Sequence, residues 1–94
     1  MRYPRLIFRV HAVRRMFERG ISEADVREIL ENGKVIEENL SDVPYPSRLM
    51  LGFIEGQPVH VVASDDRSAK AAVVITVYRP DAVRWDKKFR RRKK

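Results

Sequence analysis

From Val10 to Arg19 the apolar positions recur with a helical period. At about 100° per residue, Val10, Ala12, Val13, Met16 and Phe17 fill one half of the wheel. His11, Arg14, Arg15, Glu18 and Arg19 fill the other half. This predicts an amphipathic helix over 10–19 that lays its apolar half on a core. Gly20 is placed to end it in the left-handed region, with Ile21 as the apolar contact beyond. Ser22, followed by Glu23, Ala24 and Asp25, reads as an N-cap with an acidic first turn. It opens a second predicted helix, to about Glu31, that buries Val26, Ile29 and Leu30 before Asn32-Gly33 stops it.

After Gly33 the period changes. Lys34–Leu40 is expected to form the first strand, followed by a loop at Asp42-Val43-Pro44-Tyr45-Pro46-Ser47, where two prolines deny backbone donors. Arg48–Glu55 and Pro58–Ser64 read as a hairpin around Glu55-Gly56-Gln57. Asp65–Ala69 turns the chain into Ala71–Tyr78, an almost unbroken apolar, β-branched run of the kind a central strand covered on both faces requires. Pro80 stops it, and Trp85 and Phe89, four apart, suggest a short closing helix. The expected order is α-α-β-β-β-β-(α). That is an α+β fold, a four-stranded mainly antiparallel sheet with two helices on one face, in one domain over 1–89 with a basic tail at 90–94.

Composition narrows the chemistry. In 94 residues there is no cysteine, which removes disulfides, thiolate metal sites and thiol nucleophiles, and two histidines cannot supply a tetrahedral nitrogen site. No apolar run approaches the roughly 20 residues of a membrane span, and Met1-Arg2-Tyr3-Pro4-Arg5 begins no signal-peptide pattern. A soluble, cytoplasmic protein without metal or cofactor is expected. The net charge of +7 lies wholly in residues 84–94, which hold eight basic groups against Asp86. Residues 1–20 carry six Arg and one Glu, whereas 21–47 carry two basic and seven acidic groups. Such a segregated field favours encounter with a polyanion.

On the first helix His11 sits in the polar half, with Arg14 three residues on and Arg15 four. An imidazole moves protons near neutral pH, and guanidinium groups hold a phosphate and the added charge of its transition state, a set suited to phosphodiester chemistry. An ordinary solvated face, with Glu18 paired to Arg14 or Arg15, accounts for the same residues. His60 is expected on the strand face opposite Val59, Val61 and Ala63, and Tyr78-Arg79 at a strand end where side chains reach a ligand or pack at the sheet margin. Ser47-Arg48 can donate to a phosphate or simply be a turn; Trp85 with Phe89 reads as core.

These segments also carry a resemblance. His11-Ala12-Val13-Arg14-Arg15-Met16-Phe17-Glu18-Arg19-Gly20-Ile21-Ser22 resembles the H-A-x-x-R-M-x-E-R-G-I-S opening of the domain of unknown function 4258 family. Tyr45-Pro46-Ser47-Arg48-Leu49 with Gly52, and Pro58-Val59-His60-Val61-Val62, resemble its middle; Ile75-Thr76-Val77-Tyr78-Arg79-Pro80-Asp81, Trp85, Phe89 and Arg92 resemble its end. The chain departs at Arg79, where an acidic residue is common, and at Ala82, where a second proline often stands. That family is similar to RelE/MqsR-like toxins of bacterial and archaeal toxin–antitoxin pairs, small metal-independent ribonucleases. The resemblance therefore implies a RelE-like growth-regulating hydrolase, an mRNA interferase needing no cofactor, in which a ribose 2′-OH attacks the adjacent phosphate. It implies catalytic roles for His11, Arg15, Arg19, Tyr78 and His60, and RNA contacts from Arg14, Arg48, Arg79, Lys87, Arg91 and Arg92. Implied partners are RNA, a cognate antitoxin of zinc-binding/DNA-binding type, and the ribosome, with no membrane. A ParE-like topoisomerase inhibitor and a non-catalytic RNA-binding module are the alternatives.

Overall fold

The sheet has one strand more than the pattern predicts. A computed structural model describes residues 5–41, 45–81 and 85–92. The elements run β1 (Arg5–Phe8), α1 (Val10–Arg19), α2 (Glu23–Asn32), β2 (Lys34–Asn39), β3 (Ser47–Ile54), β4 (Gln57–Asp66) and β5 (Ala71–Tyr78). The sheet is five-stranded and mixed, in the order β1-β5-β4-β3-β2. The expectation of four mainly antiparallel strands is corrected by β1, which pairs parallel with β5 from Arg5↔Ala71 to Phe8↔Val74. Four residues are too few to show a period, and their partner lies some sixty residues on, so nothing local announces the strand. The other strand pairs are antiparallel. Residues 42–44 of the proline-rich loop, Ala82, Arg84 and the tail's Lys93 and Lys94 lie outside the described residues.

The end of α1 and the start of α2 follow their sequence signals. Gly20 adopts φ 67°, and the amides of Gly20 and Ile21 donate to the carbonyls of Phe17 and Met16. Ser22 Oγ accepts from the Asp25 amide and Asp25 accepts from the Ser22 amide, both at 3.0 Å, a complete capping box. Glu55 and Gly56 both have positive φ, as the type I′ turn of a two-residue hairpin loop requires.

One face of the sheet meets the helices. Ala12 and Met16 of α1 and Val26, Ile29 and Leu30 of α2 share a core with Met50, Val59, Val61, Ala63, Ala72, Val74 and Val77. A Cβ at Gly52 would collide with Ile29, so the bare backbone there lets α2 press onto β3. The expectation for α1 is half met. Val10, Val13 and Phe17 stay exposed, Phe17 at 88%.

The opposite face is covered by the chain after β5. Trp85 is 3% exposed, and the short helix expected there is replaced by a closed loop. Trp85 and Arg92 form a bridge, the Asp86 amide donates to the Arg91 carbonyl, and Asp86 Oδ1 accepts from the amides of Lys88 and Arg90 at 3.1 Å. A carboxylate bonding its own following amides competes with helical pairing, which explains the outcome. This strap lies on the face that also carries Leu49, Leu51 and His60, all buried.

Candidate functional site

Two β-bulges decide what faces the strap. In β5, Val62↔Thr76 is followed by Ala63↔Val74, leaving Ile75 as an extra residue. Strict alternation from Ala72 and Val74 would drive Thr76 and Tyr78 into the helix-side core. The extra residue instead gives that side Val77 and turns Thr76 and Tyr78 to the other face. In β2 the pairing passes from Val35↔Met50 to Glu37↔Leu49, and the extra Ile36 turns Glu37 the same way. One row across this face then reads Lys34, Leu51, His60, Tyr78, and the next Glu37, Leu49, Val62, Thr76.

His60 is fully buried at the centre of the first row. Its Nε2 lies 2.9 Å from the Phe89 carbonyl and its Nδ1 3.2 Å from Tyr78 Oη. A carbonyl only accepts, so Nε2 carries the hydrogen; Nδ1 of the neutral ring then accepts from the Tyr78 hydroxyl. Burial pushes the imidazole below its usual pKa, a shift opposed by the Phe89 carbonyl and Glu37 and assisted by Arg92. Tyr78 and Trp85 both meet the imidazole edge to face, at 5.2 and 4.4 Å between centroids. The Tyr78 hydroxyl is pushed above its usual pKa, also chiefly by burial.

Tyr78 leads out from this buried pair into a cleft of about 380 Å³. α1 supplies His11 and Arg15 and the strap supplies Arg92; Arg79 borders the cleft from the end of β5, and Asp81 is the one carboxylate on the rim among the described residues. Arg15 is 3.6 Å from Glu18 in an exposed pair of little energetic weight. Arg92 stacks over Trp85 at 4.7 Å and donates to both Glu37 oxygens at 3.1 and 3.3 Å, which fixes its position at the cleft edge. Beyond Tyr78 and Arg92, a depression of about 550 Å³ is bounded by Glu37 and Glu38. An anion therefore finds its favourable field on the α1 side.

The structure thus gathers His11, Arg15, Tyr78 and Arg92 around one space, with His60 behind Tyr78; Arg79 borders it, but its guanidinium is turned to the end of α1. It does not bring in the others. Arg19 does not line the cleft, and its carbonyl accepts from Arg79 Nη2 at 3.4 Å. Arg14 is exposed on α1 away from the lining. Arg48 is held by Asp65 through two bonds of 2.9 Å and lines not this cleft but the neighbouring depression that Tyr78 and Arg92 also border. Arg91 is exposed, and Lys87 lies toward a different cleft. Glu37 was not singled out by sequence, since only the β2 bulge turns it to Arg92. Among the described residues no three His, Asp or Glu side chains gather as a metal site, and no helix is long and apolar enough to cross a membrane.

The family model described as "Domain of unknown function (DUF4258)" matches residues 8–79. The chain belongs to the DUF4258 family. No curated protein and no solved structure matches it. The DUF4258 match spans His11, Arg15, His60, Tyr78 and Arg79, and ends before the strap that supplies Trp85, Phe89 and Arg92.

Proposed function

We propose that this DUF4258 protein is a RelE-like toxin of a type II toxin–antitoxin system, acting in the cytoplasm as a metal-independent endoribonuclease on messenger RNA, and held in check by a zinc-binding/DNA-binding antitoxin. The observation that carries the chemistry is the cleft lined by His11, Arg15, Arg92 and Tyr78: one imidazole, two guanidinium groups and one phenol. Arg15 and Arg92 hold the scissile phosphate and the charge that grows on its oxygens in the transition state. His11 takes the proton from the ribose 2′-OH as that oxygen bonds to phosphorus. The bond from phosphorus to the 5′ oxygen breaks, and Tyr78 gives that oxygen its proton. The phenolate so formed sits beside Arg92 and is reprotonated from solvent, to which His11 returns its own proton. Between turnovers His60 holds the Tyr78 hydroxyl in place. The nucleophile belongs to the RNA, which makes DNA inert.

The test is incubation with a labelled mixed-sequence RNA and its DNA equivalent in EDTA, with analysis of the ends. Cleavage of RNA alone, leaving 2′,3′-cyclic phosphates, is the expected result. RNA that survives both the protein alone and the protein with ribosomes overturns the reading in favour of a ParE-like inhibitor or a binding module.

A further inference from the structure

A second cationic cleft lies on the opposite flank of the strap. β2 begins at Lys34, opposite Leu51, so β3 from Gly52 onward has no neighbour on that side. The notch left at this edge, about 510 Å³, is closed by the C-terminal end of α2 on one side and the strap on the other. Among the described residues, Lys34, Lys87, Lys88 and Arg90 line it against a single carboxylate, Glu28. None of the four pairs with a carboxylate among the described residues. The strap's own carboxylate, Asp86, is occupied by the amides of Lys88 and Arg90. Phe53 lines the same notch and is 58% exposed, a large aromatic ring left uncovered.

Four cations beside one bare aromatic ring match single-stranded nucleic acid, whose phosphates seek the charges and whose unpaired bases stack on the ring. A duplex hides its base faces, and a plain acidic surface has no use for the ring. We infer that the Lys34–Phe53–Arg90 notch is a second binding site for single-stranded RNA, engaging nucleotides beside the scissile phosphate. The choice of RNA rests on the ribonuclease reading above; the single-strand preference rests on the notch alone. Lys34 and Tyr78 share one row of the sheet, three strand spacings or roughly 14 Å apart. A strand of a few nucleotides can therefore touch both clefts, crossing the strap whose Lys87 and Lys88 face it.

The experiment is a binding titration with fluorescent single-stranded 2′-O-methyl RNA, which lacks the attacking hydroxyl and reports binding whether or not the protein cuts. Removing all four cations together (Lys34→Ala, Lys87→Ala, Lys88→Ala, Arg90→Ala) is expected to flatten the log–log salt dependence by about 2 to 3. Phe53→Ala is expected to weaken single-strand binding about tenfold, and Phe53→Trp to preserve it. Arg67→Ala, an exposed cation at the other end of the sheet, should change neither. Circular dichroism and unfolding midpoints confirm that each variant is folded. An unchanged salt slope and affinity overturn the proposal. So does duplex binding as tight as single-strand binding, or polyglutamate competing as well as RNA of equal charge, which would assign the notch to an acidic protein. The two readings fail separately. A protein that cuts no RNA but loses binding with these variants keeps the notch and loses the nuclease; one that cuts RNA while the variants bind as before does the reverse.

Discussion

The outer surface of α1 and the patch beneath the strap hold the same kinds of side chain in opposite conditions. α1 presents His11 and Phe17 to solvent, whereas the strap seals His60 and Trp85 against the sheet. His60 has both ring nitrogens committed, one to the Phe89 carbonyl and one to Tyr78, and burial biases it to the neutral form. His11 lines a cleft shared with the Arg15 and Arg92 guanidinium groups. A histidine fully engaged by its neighbours organises a structure; one with free nitrogens beside cations is placed to exchange protons with a ligand. Residue type alone does not separate these roles, and the bulges and strap do.

The largest separation should come from two alanine substitutions. His11→Ala is expected to lower single-turnover RNA cleavage by about 10²–10⁴ while moving unfolding free energy by no more than about 0.5 kcal/mol. A fall of less than tenfold would remove His11 from the mechanism. Trp85→Ala should do the opposite, removing about 3–5 kcal/mol of stability in urea unfolding, because it takes the ring from His60 and the platform from Arg92. Should Trp85→Ala unfold with the parent, the strap contributes no stability and the contrast collapses.

Acid sharpens the contrast. The folded-state pKa of His60 lies below 6.5, so the unfolded chain binds the proton more tightly. The stability that His60 contributes is thus complete above about pH 6.5 and is lost as pH falls through the folded-state value. Urea midpoints measured downward from pH 8 should begin to drop near that point, before carboxylates titrate. A His60→Gln variant, less stable throughout, should lack this first step. If it kept the step, the titrating group would lie elsewhere.

How much of this can be read without the fold differs between its parts. The helix ends were legible because Gly20 and the Ser22–Asp25 box act within a turn of chain. β3, β4 and β5 were legible to within two residues, because alternation or an apolar run marks them. β1 was not, since its partner is remote and its length is four residues. The candidate cleft was legible as a set of residue types but not as a place. His11 and Tyr78 are 67 positions apart, and Tyr78 reaches the cleft only because Ile75 is an extra residue in its strand. The helical spacing of Trp85 and Phe89 misled for a local reason, Asp86 bonding the amides that a helix would need.

α1 supplies the smallest predicted effect. Its wheel suggested five core residues, yet Ala12 and Met16 are buried while Val10 is 75% and Phe17 88% exposed. Burial is what makes truncation expensive, since it sets both the lost transfer free energy and the cavity left behind. Met16→Ala should therefore remove about 2–5 kcal/mol, whereas Phe17→Ser should change stability by no more than about 0.5 kcal/mol. Serine and phenylalanine rank close together as helix formers, so propensity adds little to the second value. Unfolding the two variants side by side tests how α1 is rotated on the sheet, and with it the side of the helix on which His11 and Arg15 stand. Comparable losses would mean that Phe17 is buried, turning the helix and carrying His11 away from Tyr78. A loss confined to Met16→Ala keeps His11 beside Tyr78, where the proposed proton transfer from a bound ribose requires it.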